Sequence, residues 1–283
     1  MVSMLKPLLF ALAAIAPLGS HADYASARLA MEDSSNPLML VSTSAGPIYI
    51  EMLPAEAPEN VARFIEFTVG EVPLTETDST LTANPRYYNG SQFHRVIPNF
   101  IIQAGSPAHN AHGRPRDYLA DEINASALGL DRLPVILQAG EVNPILNTDS
   151  QQEFASRVLE PLYRQLGIDS PEQLETEESA IIDALQSLTV MRLYEYEGYR
   201  YQNRYPTRAI TRGIVALAND GPNRNGPEFF ISLSDAPWLD GRYTVIGRVV
   251  EGMETADDIG DKPVQPLDPD PESTRIYSIR KLN

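Results

Sequence analysis

Cysteine is absent from the 283 residues. That excludes disulfides, thiolate catalysis, cysteine-ligated zinc and a cysteine-linked lipid anchor. Positive charge is scarce: 22 Lys and Arg stand against 38 Asp and Glu, a net charge of −16. A nucleic-acid surface needs clustered Lys and Arg, so no nucleic-acid partner is expected. The same deficit disfavours an anionic membrane surface. A long apolar run is also missing: 7–18 falls short of the roughly 20 residues of a membrane span. The glycine- and asparagine-rich stretch 220–226 opens no helix and has no P-loop lysine, so a tight loop between strands is expected there rather than a phosphate cradle.

Hydrophobic residues make up 43%, enough for a packed core in one large domain or two small ones. Residues 1–22 read as a signal peptide. Lys6 supplies the positive start, 7–18 the apolar run, and Ser20-His21-Ala22 the small residues a signal peptidase reads. The mature chain is expected to begin at Asp23, periplasmic or secreted, with no membrane attachment after cleavage. Residues 23–37 are polar and read as a flexible lead.

Two strand-like runs, 38–41 and 47–53, flank the turn residues Ser44-Ala45-Gly46 and predict a hairpin. Pro58 opens a helix through Val69 that Gly70 ends, with Val61, Phe64, Ile65 and Val69 as its apolar stripe. From 141 to 206 strand signals vanish. Asp149 is expected to cap a helix to Gly167, kinked at Pro161. Ser170-Pro171-Glu172-Gln173 starts a second helix, with Ile181, Leu185 and Leu188 on one face. The tyrosines 194, 196, 199, 201 and 205 that follow are expected to pack on the body of the domain, with a protein-binding face as the other reading. Strand chemistry resumes at 212, a short helix is expected at 253–259, and a last strand at 275–282.

The stretch 88–105 carries the chemistry. Phe93, Arg95 and Ile97 alternate with His94 and Val96; after a Pro98-Asn99 turn, Phe100 and Ile102 alternate with Ile101 and Gln103. Arg95 and Gln103 are thus polar groups on two strands built for burial. An unpaired buried charge is costly, so Arg95 is either a solvated surface arginine or part of a partnered site. His109 and His112, three apart, are spaced so that they could share a metal, but no third ligand has obvious spacing nearby, and no nucleophile motif accompanies His94. Solvated loop histidines, and a network histidine at His94, are the expected reading; a metal-dependent hydrolase is the weak rival.

From Tyr88 through Gly105, with Phe93-His94-Arg95 and Phe100-Ile101-Ile102-Gln103 in register, the chain resembles the cyclophilin family of peptidyl-prolyl cis-trans isomerases. Stretches 217–231 and 238–253 resemble the same family in the same order. The resemblance implies a mainly-β fold: a closed eight-stranded antiparallel barrel capped by two helices, spanning 38–283 and interrupted by the 141–206 helical insertion. It points to a bacterial, exported member that needs no metal or cofactor. Its partners would be proline-containing polypeptides, and it is expected to act as a monomer.

The resemblance also assigns the site. Arg95 takes the position of the catalytic arginine, beside Phe100 and Gln103. Phe100, Ile101, Phe230 and Leu239 would line the proline pocket. Ala218 and Asn219 would hold the substrate backbone, and Trp238 would stand beside the groove. Glu228 and Tyr243 depart from the family's usual Gln and His; Glu228 could pair with Arg95 and hold it more tightly, or draw it away from the substrate. These departures motivate the rival of a non-catalytic proline-segment binding module or holdase chaperone.

Overall fold

The computed structural model describes residues 22–72, 74–75, 86–110, 113–264 and 273–282. The signal peptide expected at 1–22 therefore lies outside the described residues except for Ala22. His112 and most of the polar connection 71–86 lie outside them too.

The lead over 23–37 differs from expectation. It forms a helix, α1 (Tyr24–Ala30), capped by the Asp23 carboxylate, which accepts the Ala25 and Ser26 N–H groups at 2.8 and 3.0 Å. The strands β1 (Leu38–Thr43) and β2 (Pro47–Met52) follow as the predicted hairpin. A carboxylate on β2 explains why the lead is ordered. Glu51 is fully buried and accepts the N–H groups of Glu32 and Asp33 and the amide of Asn36, at 2.9, 3.0 and 2.9 Å. Helix α2 (Pro58–Val69) has Pro in its first turn and ends at Gly70, whose φ of +82° only glycine adopts easily. Its buried stripe is Val61, Phe64 and Phe67; Val69 is exposed instead. Phe67 takes its place because it meets Tyr87 and Tyr88, which approach from outside the helix.

Next come β3 (Leu74–Thr75), β4 (Phe93–Ile97), β5 (Ile101–Ala104) and β6 (Arg114–Pro115). The helical stretch then holds α3 (Gln151–Phe154), α4 (Glu160–Leu166), α5 (Pro171–Thr176), α6 (Glu178–Ser187) and α7 (Val190–Tyr196). Ser150, not Asp149, caps α3. The missing N–H of Pro161 is absorbed upstream by a π-turn over Ala155–Leu159 that joins α3 to α4. Ser170 and Gln173 form the capping box read from the sequence. The chain closes with β7 (Ile214–Asn219), β8 (Asn225–Ser232), β9 (Val245–Glu251), α8 (Met253–Gly260) and β10 (Ile276–Leu282).

Eight strands make one antiparallel sheet in the order β10-β1-β2-β9-β7-β8-β5-β4. It curls into an open half-barrel, so the expected closed barrel is corrected. Among the described residues β4 and β10 form no ladder; their first residues and the leads into them meet through a Gln92–Arg275 bridge and a few hydrogen bonds. Further along, the outer edge of β4 is taken by Val264, which exchanges backbone hydrogen bonds with Val96 at 2.9 and 3.2 Å. That segment sits where a ladder to β10 would have to run. Helices α2 and α8 cover the concave face, as expected, and share its core with Phe93, Val96, Ile102, Phe229 and Ile231.

The helices between 151 and 196 gather a second core around Val158, Leu188, Val190, Leu193, Tyr194 and Tyr199. This core also takes in Ala125, Leu130 and Val135, so the helical unit reaches upstream of 141. Its tyrosines meet the sheet's connections. Tyr201 donates to the Gly241 carbonyl at 2.9 Å, and the Arg242 guanidinium lies 5.5 Å from the Tyr194 ring centroid.

Candidate active site

The site lies on the convex face. One cross-strand row carries it: Arg95 on β4 pairs with Gln103 on β5, Gln103 with Phe230 on β8, Phe230 with Ala216 on β7, and Ala216 with Val245 on β9. A bulge makes this row possible. β4 sets both Phe93 and His94 against Ala104, so the strict alternation expected for 93–97 is broken. Phe93 and Val96 both enter the concave core, while Arg95 points outward beside Gln103.

Phe230 and Ile101 floor an apolar patch that includes Ile214, Ala216 and Val245. The connection 237–243 walls it: Phe100 packs on Trp238 with ring centroids 5.7 Å apart, and Tyr243 meets Phe230 in a T-shaped pair at 5.5 Å. The result is a groove of about 360 Å³ lined by Arg95, Phe100, Ile101, Gln103, Ala218, Asn219, Phe230, Trp238, Leu239 and Tyr243. Every site residue expected from the sequence except Glu228 thus converges there. Asn147 lines it as well and was not foreseen. It follows a 3₁₀ turn, Pro144–Leu146, with a left-handed φ of +48°; the Asn-Pro at 143–144 signals a turn but gives no hint of where it lands.

Ala218 lies where the β7 register shifts, between Leu217 and Asn219, and has no partner in either neighbouring ladder. The Asn219 side chain is occupied elsewhere. It donates to the Arg242 carbonyl at 3.0 Å and accepts the Gly221 N–H at 3.2 Å, tying β7 to the groove wall. Asp240 in that wall accepts the Ile210 N–H at 2.7 Å, and burial pushes its carboxyl up to about 6.

Glu228 sits one step away, in an adjoining cavity of about 260 Å³ that shares Gln103, Ala218 and Asn219 with the groove. It makes no ion pair with Arg95. Its Oε1 lies 3.0 Å from His94 Nε2 and accepts from Gln103 Nε2, while Gln103 Oε1 accepts from Arg95 Nη1 at 3.0 Å. The Gln103 amide therefore stands between the two charges, which are joined through it. Burial pushes the Glu228 carboxyl up, and the hydrogen bond and charge of His94 oppose it. Together with hydrogen bonds from Gln103 and Ser106 they hold it below the ordinary carboxylate range. His94 is thus the network histidine expected, stacked on His109 with centroids 5.0 Å apart. Burial and the neighbouring His94 lower the His109 pKa. Among the described residues no three His, Cys, Asp or Glu side chains gather as a metal site.

The signature residues at 88 and 105 hold this arrangement from behind. Tyr88 is buried and donates to the Pro227 carbonyl at 2.8 Å. Gly105 has φ +83°, and a Cβ there would stand 2.7 Å from the Pro227 oxygen. Both contacts fix the backbone immediately before Glu228.

The groove offers one cation beside an apolar floor, an amide that orients the cation, and an unpaired stretch of strand backbone. The family model described as cyclophilin type peptidyl-prolyl cis-trans isomerase/CLD matches residues 38–281. Peptidyl-prolyl cis-trans isomerase B of Streptomyces anulatus is 24% identical over 228 residues, spanning 80% of this chain and 85% of its own. Peptidyl-prolyl cis-trans isomerase ppi1 of Schizosaccharomyces pombe is 25% identical over 234 residues, spanning 80% and 92%. A solved cyclophilin type isomerase of Cryptosporidium parvum aligns with a TM-score of 0.49 at 19% identity, covering 88% of this chain and 98% of that one. One family model runs through both the sheet and the row of residues on its convex face, and the chain belongs to the cyclophilin-type peptidyl-prolyl cis-trans isomerases, a family of isomerases.

Proposed function

We propose that the convex groove is where the isomerisation happens and that Arg95 is the group that accelerates it. Rotation about an X-Pro bond breaks no covalent bond. It must cross a state without amide resonance, over a barrier of about 18–20 kcal/mol. In that state the prolyl nitrogen becomes pyramidal and gains a lone pair. A fixed guanidinium aimed at the nitrogen stabilises the twisted amide more than the planar one, and only such a difference speeds the reaction. Phe100, Ile101, Phe230 and Leu239 take the ring. The backbone at Ala218 and Asn219 pairs with the extended residues before it, and Trp238 and Tyr243 bound the channel. Arg serves better than Lys because its planar fork is rigid and always charged.

The observation that carries this reading is the single row Arg95–Gln103–Phe230, in ladder register across β4, β5 and β8 and opening on one groove. The substrates are proline-containing polypeptides, which the net charge of −16 suits better than nucleic acid. The leader pattern at 1–22 supports export to the periplasm or medium. We read 141–206 as an insertion into the isomerase domain. Asn147 at the groove and Tyr201 on Gly241 support a role in bracing the groove wall.

The test is exchange spectroscopy on a proline peptide with the mature chain and with Arg95→Ala. The wild type accelerates exchange, and the variant loses about 10²–10³-fold, the usual loss for one electrostatic donor. A wild type that leaves exchange unaccelerated at micromolar concentration, or an Arg95→Ala chain that keeps the rate, overturns the reading. A holdase would instead suppress aggregation equally well with and without Arg95.

A further inference from the structure

We propose that Glu228 is a positioning residue for the isomerisation: as a carboxylate that can only accept, it takes the Gln103 Nε2 hydrogen and so turns Gln103 Oε1 onto the Arg95 guanidinium. This rests on Arg95 being the acting cation. A glutamine amide has an oxygen and a nitrogen end of nearly equal size, so shape alone does not choose its orientation. Here charge chooses. Arg95 can only donate and ionised Glu228 can only accept. With Gln103 between them, one orientation makes two charge-assisted hydrogen bonds and the flipped one makes two repulsive contacts. A neutral amide at 228 can either accept or donate and would impose the choice only weakly.

Glu228 is itself well held. Its side chain is 23% exposed and that of His94 7%, and the two meet at 3.0 Å. His94 Nδ1 is buried without a hydrogen-bond partner among the described residues, so Nε2–H is the donor facing the carboxylate. Tyr88 and Gly105 lock the preceding Pro227 carbonyl. The bulge in β4 brings His94 round to this cluster. Thus the signature residues Tyr88, His94 and Gly105, none of which lines the groove, all bear on the aim of Arg95 through Glu228. The charged and titratable groups around the carboxylate are His94 from β4, Tyr87 before it and His109 after β5. Arg114, Tyr118, Asp220 and Arg224 share its cavity, with Arg95 beyond Gln103.

An arginine aimed for the twisted amide matters in the transition state, so loss of its aim lowers kcat rather than raising KM. The experiment is a double-mutant cycle on kcat and KM, read by peptide exchange, over wild type, Glu228→Ala, Gln103→Ala and the double variant. Glu228→Ala is expected to lower kcat about tenfold, the scale of one hydrogen bond to a charged group. In the Gln103→Ala background the same change is expected to cost less than about twofold, because the relay is already gone. Glu228→Gln, which keeps the shape and can offer an oxygen, recovers part of the loss and carries the test should the alanine variant fail to fold. The pH profile separates the two acceptors: kcat of the wild type falls as acid protonates Glu228, and Glu228→Gln lacks that limb. Additive losses in the cycle, or an effect on KM alone, mean that Glu228 touches the peptide directly and overturn the proposal. An inactive wild type would sink the reading of Arg95 and this one with it; an active wild type with additive losses sinks this one alone.

Discussion

Asp240 lies between two groove-wall residues, Leu239 and Tyr243, and is expected to make the fold less stable at neutral pH than in weak acid. It is 7% exposed, and the Ile210 N–H at 2.7 Å is a single hydrogen bond for a buried carboxylate. Burial raises its pKa from 3.8 to about 6. A raised acid pKa means that the folded chain holds the proton more tightly than the unfolded one. The favourable contribution is therefore complete below about pH 3.8 and is lost as pH rises through 6. At about 1.36 kcal/mol per pKa unit, the ionised group costs the fold about 3 kcal/mol at pH 7, of which about 2 develops between pH 4.5 and 7. Asp240→Asn keeps an oxygen for Ile210 and cannot ionise. Urea unfolding of both proteins across that range gives the comparison. A constant offset between them reports the amide; the part that grows with pH reports the carboxylate. The variant should gain about 2 kcal/mol on the wild type between pH 4.5 and 7. Parallel stability curves would refute the argument.

Two further perturbations follow from the same structure. Tyr201→Phe removes the hydrogen bond to the Gly241 carbonyl and should cost about 1 kcal/mol in unfolding. If the helical unit braces the groove wall, peptide KM should rise at the same time; a stability loss with unchanged KM would show that the brace does not reach the groove. Glu51→Ala leaves the Arg248 guanidinium, 2.9 Å away, without its buried partner and releases the lead at Glu32 and Asp33. A loss of about 3–5 kcal/mol is expected in unfolding titrations at pH 7. Burial raises the Glu51 carboxyl, but backbone hydrogen bonds from Glu32 and Asp33, with Asn36 and Arg248, hold it below its ordinary 4.5. Its contribution is thus complete above that range and is lost as acid titrates it, so the wild type and Glu51→Ala should converge at low pH.

How much of this was legible in the sequence depended on whether local chemistry or distant contacts decided the outcome. The hairpin at Gly46, the ends of α2 at Pro58 and Gly70 and the capping box at Ser170 were readable because each is settled within a few residues. Most of the groove was readable too, since Arg95, Phe100, Ile101 and Gln103 lie in one motif and every other lining residue except Asn147 in two others. The bulge at His94 was not: alternation assumes a regular ladder, and only the partner strand reveals the extra residue. The order of the lead was hidden because its anchor, Glu51, lies on a strand and reads there as an ordinary exposed charge. The open edge follows from Val264 occupying β4, a contact between residues 168 positions apart in the chain that no local pattern encodes. The upstream reach of the helical unit was missed because Ala125, Leu130 and Val135 sit in turns without periodicity. Glu228 stands out in the sequence as a departure from the family, but its partner does not. Charge alone suggests Arg95, whereas the ladder places the Gln103 amide between them.

The most direct test of the central claim is the structure of the chain with a proline-containing peptide bound. The account places the prolyl ring on Phe230 among Phe100, Ile101 and Leu239, the preceding residues along Ala218 and Asn219, and the Arg95 guanidinium within hydrogen-bonding reach of the prolyl nitrogen. A ring seated in the groove with Arg95 turned away from that nitrogen, or a peptide held outside the groove altogether, would contradict it.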